Sequence, residues 1–128
     1  MDHRIVDLHV HSTESDGTLT PEDLVAEAKK VGLAAFALTD HDTCQGVCKA
    51  MPCAASAGIE LIPGIELSTD YHGKEVHIVG LYIDIENEQL LKKTAEYRKC
   101  RSERNALMVE ALQKEGLSIT MEELVAEN

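Results

Sequence analysis

Six histidine, aspartate and glutamate side chains lie in or directly after predicted strands and could together hold metal ions. The first two are His9 and His11, at the end of a stretch that alternates polar and apolar residues. Alternation places both imidazoles on one face of a strand, about 6 to 7 Å apart, where they could share one divalent ion. Asp7 shares that face and could accept a hydrogen bond from an imidazole N–H. A strand with two partly exposed histidines would show the same pattern, so this motif alone leaves the chemistry open.

Two further candidates lie in loops. Asp16 precedes Gly17 after the first strand, in the kind of loop where catalytic groups collect in α/β proteins. Asp-Gly is also a common turn, which is the alternative for this site. The run Asp40-His41-Asp42 directly follows a second, apolar strand, and three ionisable residues there are costly unless they are solvated or coordinated. A solvated loop that caps the next helix is the alternative for this run.

Glu66 and His77 occupy settings that should be interior. Glu66 lies within Ile62-Pro63-Gly64-Ile65-Glu66-Leu67, and His77 is flanked by Val76 and Ile78. Coordination to a cation would explain a buried carboxylate, which is otherwise costly when unpaired. A single core histidine is more commonly only hydrogen-bonded. Carboxylate and imidazole without thiolate suit Mn, Fe or Zn, and two or three such ions can generate hydroxide at neutral pH and clamp a phosphoryl group.

Alternating strands and helices would position these side chains. The pattern predicts strands over residues 5–11, 34–39, 59–62, 65–68 and 75–83. It predicts helices over residues 21–31, 43–57 and 88–115, and a further helix that opens with a capping box of Thr120 and Glu123. Pro52 should kink or divide the second helix. This order predicts an α/β architecture with a mainly parallel sheet.

Composition restricts the compartment and the partners. No apolar run is long enough to cross a bilayer and no signal-peptide pattern occurs, so we expect a cytoplasmic protein without a membrane partner. The formal net charge of -11 repels a phosphate backbone, which argues against duplex nucleic acid as a partner. The cysteines form no Cys-x-x-Cys pair and are expected to be buried or half-buried apolar residues; they are Cys44, Cys48, Cys53 and Cys100.

Five motifs occur in order between residues 4 and 84: Asp7-Leu8-His9-Val10-His11-Ser12, Ser15-Asp16-Gly17, Thr39-Asp40-His41-Asp42-Thr43, Pro63-Gly64-Ile65-Glu66 and Glu75-Val76-His77-Ile78-Val79-Gly80. In order and spacing they resemble the polymerase and histidinol phosphatase (PHP) family, and within it the stand-alone metal-dependent phosphoesterase branch. The fold of that family is a distorted (β/α)7 barrel. The resemblance implies that residues 1–86 are the N-terminal part of the barrel and that residues 87–128 are the start of a helical insertion.

The resemblance also implies up to three divalent ions, which would be Mn, Fe or Zn. The expected ligands are, in chain order, His9, His11, Asp16, His41, Glu66 and His77. The first ion would bind to the two histidines of the first strand and to Glu66. Glu66 would bridge to a second ion that His77 also holds, and Asp16 with His41 would bind a third.

Two more pairs of residues are implied around these ligands. Asp7 and Asp40 would support the ligands through hydrogen bonds. Arg101 and Arg104, on the first helix of the insertion, would face the substrate phosphate. Arginines three residues apart on one helix face permit that contact, but they are equally typical of a solvated helix surface.

The implied activity is hydrolysis of phosphate monoesters or terminal phosphodiesters of nucleotide-like substrates, such as nucleoside 3',5'-bisphosphates or short RNA 5' ends. A metal-bridging hydroxide, and not a side chain, would attack phosphorus. The family's later ligands, a His or Cys and a C-terminal Asp-x-His pair, do not occur here. A truncated, catalytically incompetent metal-binding fragment or interaction module is therefore the first alternative. A metal-dependent amidohydrolase, which also opens with His-x-His, is the second, although the strand-end lysine typical of that group has no match here.

Overall fold

The computed structural model describes residues 4–126. Its elements in chain order are β1 (Val6–Val10), α1 (Pro21–Val31), β2 (Ala35–Leu38), α2 (Gln45–Ala57), β3 (Glu60–Tyr71), β4 (Lys74–Leu81), α3 (Glu88–Lys114) and α4 (Met121–Ala126). Residues 1–3 and 127–128, at the ends of the two predicted segments, lie outside the described residues. Within the described range, no helix is both long and apolar enough to span a membrane.

The four strands form one sheet in the order β1-β2-β3-β4. β1 pairs with β2 and β2 pairs with β3 in parallel, because α1 and α2 return the chain to the same end of the sheet between these strands. β3 pairs with β4 antiparallel across a tight hairpin. The predicted α/β architecture with a mainly parallel sheet is therefore confirmed.

The third strand corrects one prediction. The sequence predicts two strands separated by Pro63-Gly64, whereas β3 is one strand of 12 residues. Its first half pairs with β2 as far as Pro63, and its second half pairs with β4 from Gly64 onward. Pro63 has no N–H to donate, and a Cβ on Gly64 would lie 2.7 Å from Cγ2 of Thr39. The Pro-Gly pair thus marks the point where the strand changes partners without a break.

The helix boundaries follow capping signals in the sequence. Thr20 caps α1 by accepting a hydrogen bond from the backbone N–H of Asp23, and Gly32 ends the helix with φ 81°. At α4, the backbone N–H of Glu123 donates to Oγ1 of Thr120 (3.1 Å), and the backbone N–H of Thr120 donates to the Glu123 carboxylate (2.9 Å). The predicted capping box is therefore confirmed.

Helix α2 and the cysteines depart from expectation. α2 begins at Gln45 rather than Thr43, and Pro52 does not divide it.

All four cysteines are free. Cys48 and Cys100 are exposed, contrary to the expectation of burial, because they lie on solvent-facing sides of α2 and α3.

The main core lies between the sheet and helices α1 and α2. It is a buried cluster of Val25, Ala28, Phe36, Leu38, Val47, Ala50, Ala54 and Ile59. All four residues of β2 are buried, so the loop that follows this strand starts from a fixed position. Helix α3 lies outside this core, since only Thr94 and Val109 of its 27 residues are buried.

Candidate metal centre

The structure brings all six predicted ligands together. They come from β1 and the loop after it, the loop after β2, the middle of β3 and the strand β4. They form three overlapping groups, and within each group the possible ligand atoms lie within 4.8 Å of one another. The groups are His9, His11 and Glu66; His11, Asp16 and His41; and His41, Glu66 and His77.

Glu66 lies at the centre of this cluster and is only 5% exposed. Its Oε2 is 2.6 Å from Nε2 of His9 and 2.9 Å from Nε2 of His11. Its Oε1 is 2.9 Å from Nδ1 of His77. Burial alone raises the pKa of Glu66, but hydrogen bonds from the rings of His9 and His77 outweigh it, so the pKa is lowered overall. The carboxylate is therefore ionised at neutral pH, with imidazole nitrogens facing both oxygens.

Asp16 and His41 complete the other side of the cluster. Oδ1 of Asp16 is 3.0 Å from Nδ1 of His11, and Oδ2 is 3.5 Å from Nε2 of His41. Burial is the largest influence on His41 and lowers its pKa, and the positive charge of Arg101 acts in the same direction, against the negative charges of Asp16 and Glu66. The imidazole is therefore kept neutral. The neutral form is the one that binds metals. The buried Nδ1 of His41 has no hydrogen-bond partner among residues 4–126, so within this part of the chain the cluster has unused bonding capacity.

The four imidazoles form a row. Ring centroids are 5.1 Å apart between His9 and His11, 4.6 Å between His11 and His41, and 5.0 Å between His41 and His77. Four protonated rings at such spacing would repel one another strongly. A set of imidazole and carboxylate donors without thiolate, packed this closely, fits divalent Mn, Fe or Zn.

Buried Asp40 fixes the loop that presents Asp16. Its carboxylate accepts hydrogen bonds from the backbone N–H of Ser12 (2.7 Å), the hydroxyl of Ser12 (2.7 Å) and the hydroxyl of Ser15 (2.8 Å). The Ser15 hydroxyl also lies 3.3 Å from the Asp16 carboxylate. A Cβ on Gly46 would lie 2.2 Å from Oδ2 of Asp40, so only glycine fits beside this network. Asp40 thus contacts the loop of Asp16 through Ser12 and Ser15, two serines to which the sequence analysis assigns no role.

Asp7 lies where the sequence prediction did not place it. Its carboxylate accepts a hydrogen bond from the backbone N–H of His9 (3.2 Å), and within residues 4–126 it has no hydrogen bond to an imidazole. The pairing register of β1 with β2 shifts between Asp7 and Val10, which breaks the strict alternation that the prediction assumed. Asp7 therefore contacts the backbone of the first ligand, and not its ring.

Glu75 is a partner of the site that the sequence analysis missed. Its Oε1 is 3.0 Å from Nε2 of His77, while the other ring nitrogen of His77 faces Glu66. Hydrogen bonds to Glu75 and Glu66 raise the pKa of His77, in the opposite direction to the shift of His41. The signal was present in the sequence, because Glu75 and His77 are two residues apart and share one face of β4. A carboxylate at this place orients a histidine ligand.

Helix α3 brings arginines to the rim of the cluster. Nη2 of Arg101 is 3.1 Å from Oδ2 of Asp42 and also donates to the hydroxyl of Ser68. Arg104 lies in the same cleft, which is lined by Asp42, Ser68, Tyr97, Cys100, Arg101 and Arg104. Its guanidinium donates to the side chain of Asn105 (3.3 Å) and forms no ion pair with any acidic residue in the described part of the chain. Of the two predicted phosphate contacts, Arg101 is paired with a carboxylate, and Arg104 has no such partner among the described residues.

Comparison with known proteins gives consistent matches. Residues 7–123 match the family model described as the PHP domain. The chain is 42% identical over 112 residues to the 5'-3' exoribonuclease Rnm of Escherichia coli. This match covers 86% of the chain and 38% of that relative. It is 39% identical over 113 residues to the 3',5'-nucleoside bisphosphate phosphatase of Chromobacterium violaceum, covering 88% of this chain and 40% of that one.

A solved structure agrees with these relatives. A protein of Bifidobacterium adolescentis, assigned as a metal-dependent phosphoesterase, superimposes with a TM-score of 0.87 at 35% identity. The match covers 94% of this chain and 42% of that one. The chain thus spans about 40% of the length of the curated relatives that it matches.

Proposed function

The chain belongs to the PHP domain family, and from this membership we propose that it carries the metal-binding part of a phosphoesterase for nucleotide-like substrates. The reaction would be hydrolysis of phosphate monoesters or terminal phosphodiesters. The observation that carries the proposal is the convergence of four imidazoles and the Asp16 carboxylate around buried Glu66. The names of the relatives, an exoribonuclease and a bisphosphate phosphatase, support nucleoside 3',5'-bisphosphates or short RNA 5' ends as the substrate class.

The three groups would hold up to three divalent ions. His9, His11 and Glu66 would hold the first, as the sequence predicts. The geometry adds one possible donor to each of the others: His41 to the group of Glu66 and His77, and His11 to the group of Asp16 and His41. Each group has three possible ligands, but His11 and His41 each belong to two groups and a neutral imidazole binds one ion. Three ions bound together would therefore share these donors, and at least one ion would have fewer than three protein ligands.

The chain's own residues set the electrostatics for such ions. Ionised Glu66 supplies negative charge beside the carboxyl group of Asp16, and burial keeps His41 neutral and available as a ligand. Glu75 orients His77. Divalent ions bound there would supply Lewis acidity and an activated water. Positive charge for the substrate phosphate must be local, because the net charge of the chain is -11.

Arg104 is our candidate for that local charge. It faces the cleft beside the cluster without an acidic partner in the described residues, whereas Arg101 is paired with Asp42. A guanidinium can bind a phosphate through two parallel hydrogen bonds. We therefore assign the main phosphate contact to Arg104 and a supporting role to Arg101.

The proposed division of the chain follows from the same picture. Residues 1–86 would form part of the barrel, and residues 87–128 would begin a helical insertion that covers the site. Helix α3 supports this division, because it lies outside the main core and, in the described residues, its hydrogen bonds to Asp42 and Ser68 come from arginine side chains.

Hydrolysis tests the proposal. This chain, and a chimera that continues into the remaining sequence of the Escherichia coli relative, would be assayed with p-nitrophenyl phosphate, a nucleoside 3',5'-bisphosphate and a chromogenic amide. We expect phosphoester hydrolysis by the chimera that depends on added Mn²⁺ and is lost in its Glu66→Gln variant. Hydrolysis of the amide but of neither phosphoester would favour a metal-dependent amidohydrolase and contradict the proposal.

A further inference from the structure

Asp42 is a buried charged residue that directly follows the candidate ligand His41. It is 1% exposed, and its backbone has φ 54°, in the left-handed region. Among non-glycine residues, Asp and Asn adopt this conformation at the lowest cost. Such a conformation persists only where the surroundings fix it, and it is common at functional sites.

Hydrogen bonds connect Asp42 to the backbone of Glu66 and of Ser68, two residues further along β3. The N–H of Asp42 donates to the carbonyl of Glu66 (3.0 Å), and Oδ1 of Asp42 accepts from the N–H of Ser68 (2.9 Å). The N–H of Glu66 in turn donates to the carbonyl of Asp40 (3.1 Å), and His41 and Glu66 form a parallel bridge. The separation of these two ligands is therefore set by the same short segment of backbone that Asp42 holds.

The remaining acceptors of Asp42 face helix α3. Arg98 donates to its carbonyl oxygen (2.5 Å), and Arg101 pairs with its carboxylate. Every hydrogen bond from α3 to the strands and loops of the sheet, within the described residues, ends on Asp42 or Ser68. A buried carboxylate is stable only with such a counter-charge, so Asp42 and the arginines depend on one another.

We propose that Asp42 is a positioning residue through which helix α3 sets the spacing of His41 and Glu66. The inference rests on the proposed metal binding. While Arg98 and Arg101 are bonded to Asp42, the left-handed backbone conformation of Asp42 is fixed and His41 stays beside Glu66. Loss of the arginines leaves the buried carboxylate unpaired, and the turn relaxes. The affinity for metal should then fall in the groups that contain His41. The group of His9, His11 and Glu66 should keep its metal affinity and serves as an internal reference.

Zn²⁺ titration followed by the NMR signals of the histidine rings tests this residue by residue. The double variant Arg98→Ala/Arg101→Ala should bind Zn²⁺ about 10-fold more weakly at His41 and His77, with His9 unchanged, a loss typical of removing support behind a ligand. Asp42→Asn should keep the backbone conformation and the Ser68 contact while removing the charge. It should therefore weaken Zn²⁺ binding at His41 and His77 by less than the double variant does. Lys99→Ala, on the same helix, is the matched control and should behave as wild type.

The metal-free chain supplies a second readout. The His41 ring signals should move in the double arginine variant and in Asp42→Asn, and should not move in Lys99→Ala. Thermal unfolding of the metal-free variants shows whether they remain folded, and since Arg101 is partly exposed its removal should leave the core intact. Asp42→Ala is avoided as the main variant because it also removes the Ser68 contact.

The outcomes separate the two proposals. If no wild-type histidine responds to Zn²⁺, the proposed metal function fails, while the metal-free signals still decide the coupling. If the wild type responds and the double variant titrates identically at His41, the coupling alone is overturned. Equal weakening at all four histidines would also overturn it, because it would indicate general loosening of the fold.

Discussion

The substitution Gly46→Ala should destabilise the protein although it improves helix propensity. Gly46 lies in the first turn of α2, where replacement of glycine by alanine favours the helix by about 1 kcal/mol. The added Cβ would lie 2.2 Å from Oδ2 of Asp40, and 3.0 Å from Cδ2 of Leu38 and Oγ of Ser12. All of these neighbours are buried, so none can move into solvent.

The magnitude follows from the hydrogen bonds of Asp40. Its carboxylate must move by about 1 Å to reach ordinary contact, which is enough to break a hydrogen bond of normal length. Three such bonds, at 2.7, 2.7 and 2.8 Å, hold it. Loss of one or two bonds to a charged group, at about 1.5 to 3 kcal/mol each, less the gain in helix propensity, lowers the free energy of unfolding by about 0.5 to 5 kcal/mol.

Urea unfolding of the metal-free protein measures this change, with Ser56→Ala on the exposed side of α2 as control. The control should lie within about 0.5 kcal/mol of wild type. Because Ser15 is held by Asp40 and lies beside Asp16, Gly46→Ala should also weaken metal binding in the group of Asp16 and His41. A Gly46→Ala protein as stable as wild type, or more stable, would refute the packing argument for Asp40.

Three further outcomes are expected. Glu66→Gln should lower the number of bound metals per chain more than Asp16→Asn, because Glu66 belongs to two groups and Asp16 to one; equal stoichiometry by elemental analysis would contradict this. On acidification, His77 should protonate before His41, since the pKa of His77 is raised and that of His41 is lowered. Histidine NMR of the metal-free chain measures this order, and protonation of His41 first would contradict the causes given for the two shifts. Arg104→Ala, in the active chimera, should raise KM for phosphorylated substrates roughly 10-fold or more with unchanged metal content, and an unchanged KM would show that Arg104 only faces solvent.

Residue types and chain order were sufficient to predict the six candidate ligands and the α/β fold. Glu66 is a buried carboxylate in an apolar strand, and burial of such a group calls for a partner. His9 and His77 are predicted by their motifs alone, because β1 and β4 are largely exposed and His77 is not in the interior setting that its apolar neighbours suggested. The carboxyl ends of neighbouring parallel strands lie at one edge of a sheet, so residues after β1 and β2 had to meet there. The strand and helix patterns therefore determined which residues converge.

The support around the ligands could not be predicted in the same way. The bonds of Asp40 to Ser12 and Ser15 join segments 25 to 28 residues apart, and nothing in the local pattern of either segment indicates the pairing. Asp7 was misplaced because a register shift in β1 leaves no mark on the alternation of its residues. Pro63-Gly64 suggested a break, since a local signal cannot distinguish the end of a strand from a change of partner.

The metal content of the purified chain tests the central claim most directly. After growth in medium supplemented with Mn, Fe and Zn, elemental analysis should find between one and three equivalents of these metals per wild-type chain. His9→Ala and Glu66→Ala should each retain less metal, whereas His72→Asn should match wild type, because His72 lies in the hairpin turn with φ 53° and asparagine tolerates that backbone. Absence of transition metal from the wild type, or equal losses in all three variants, would contradict the account.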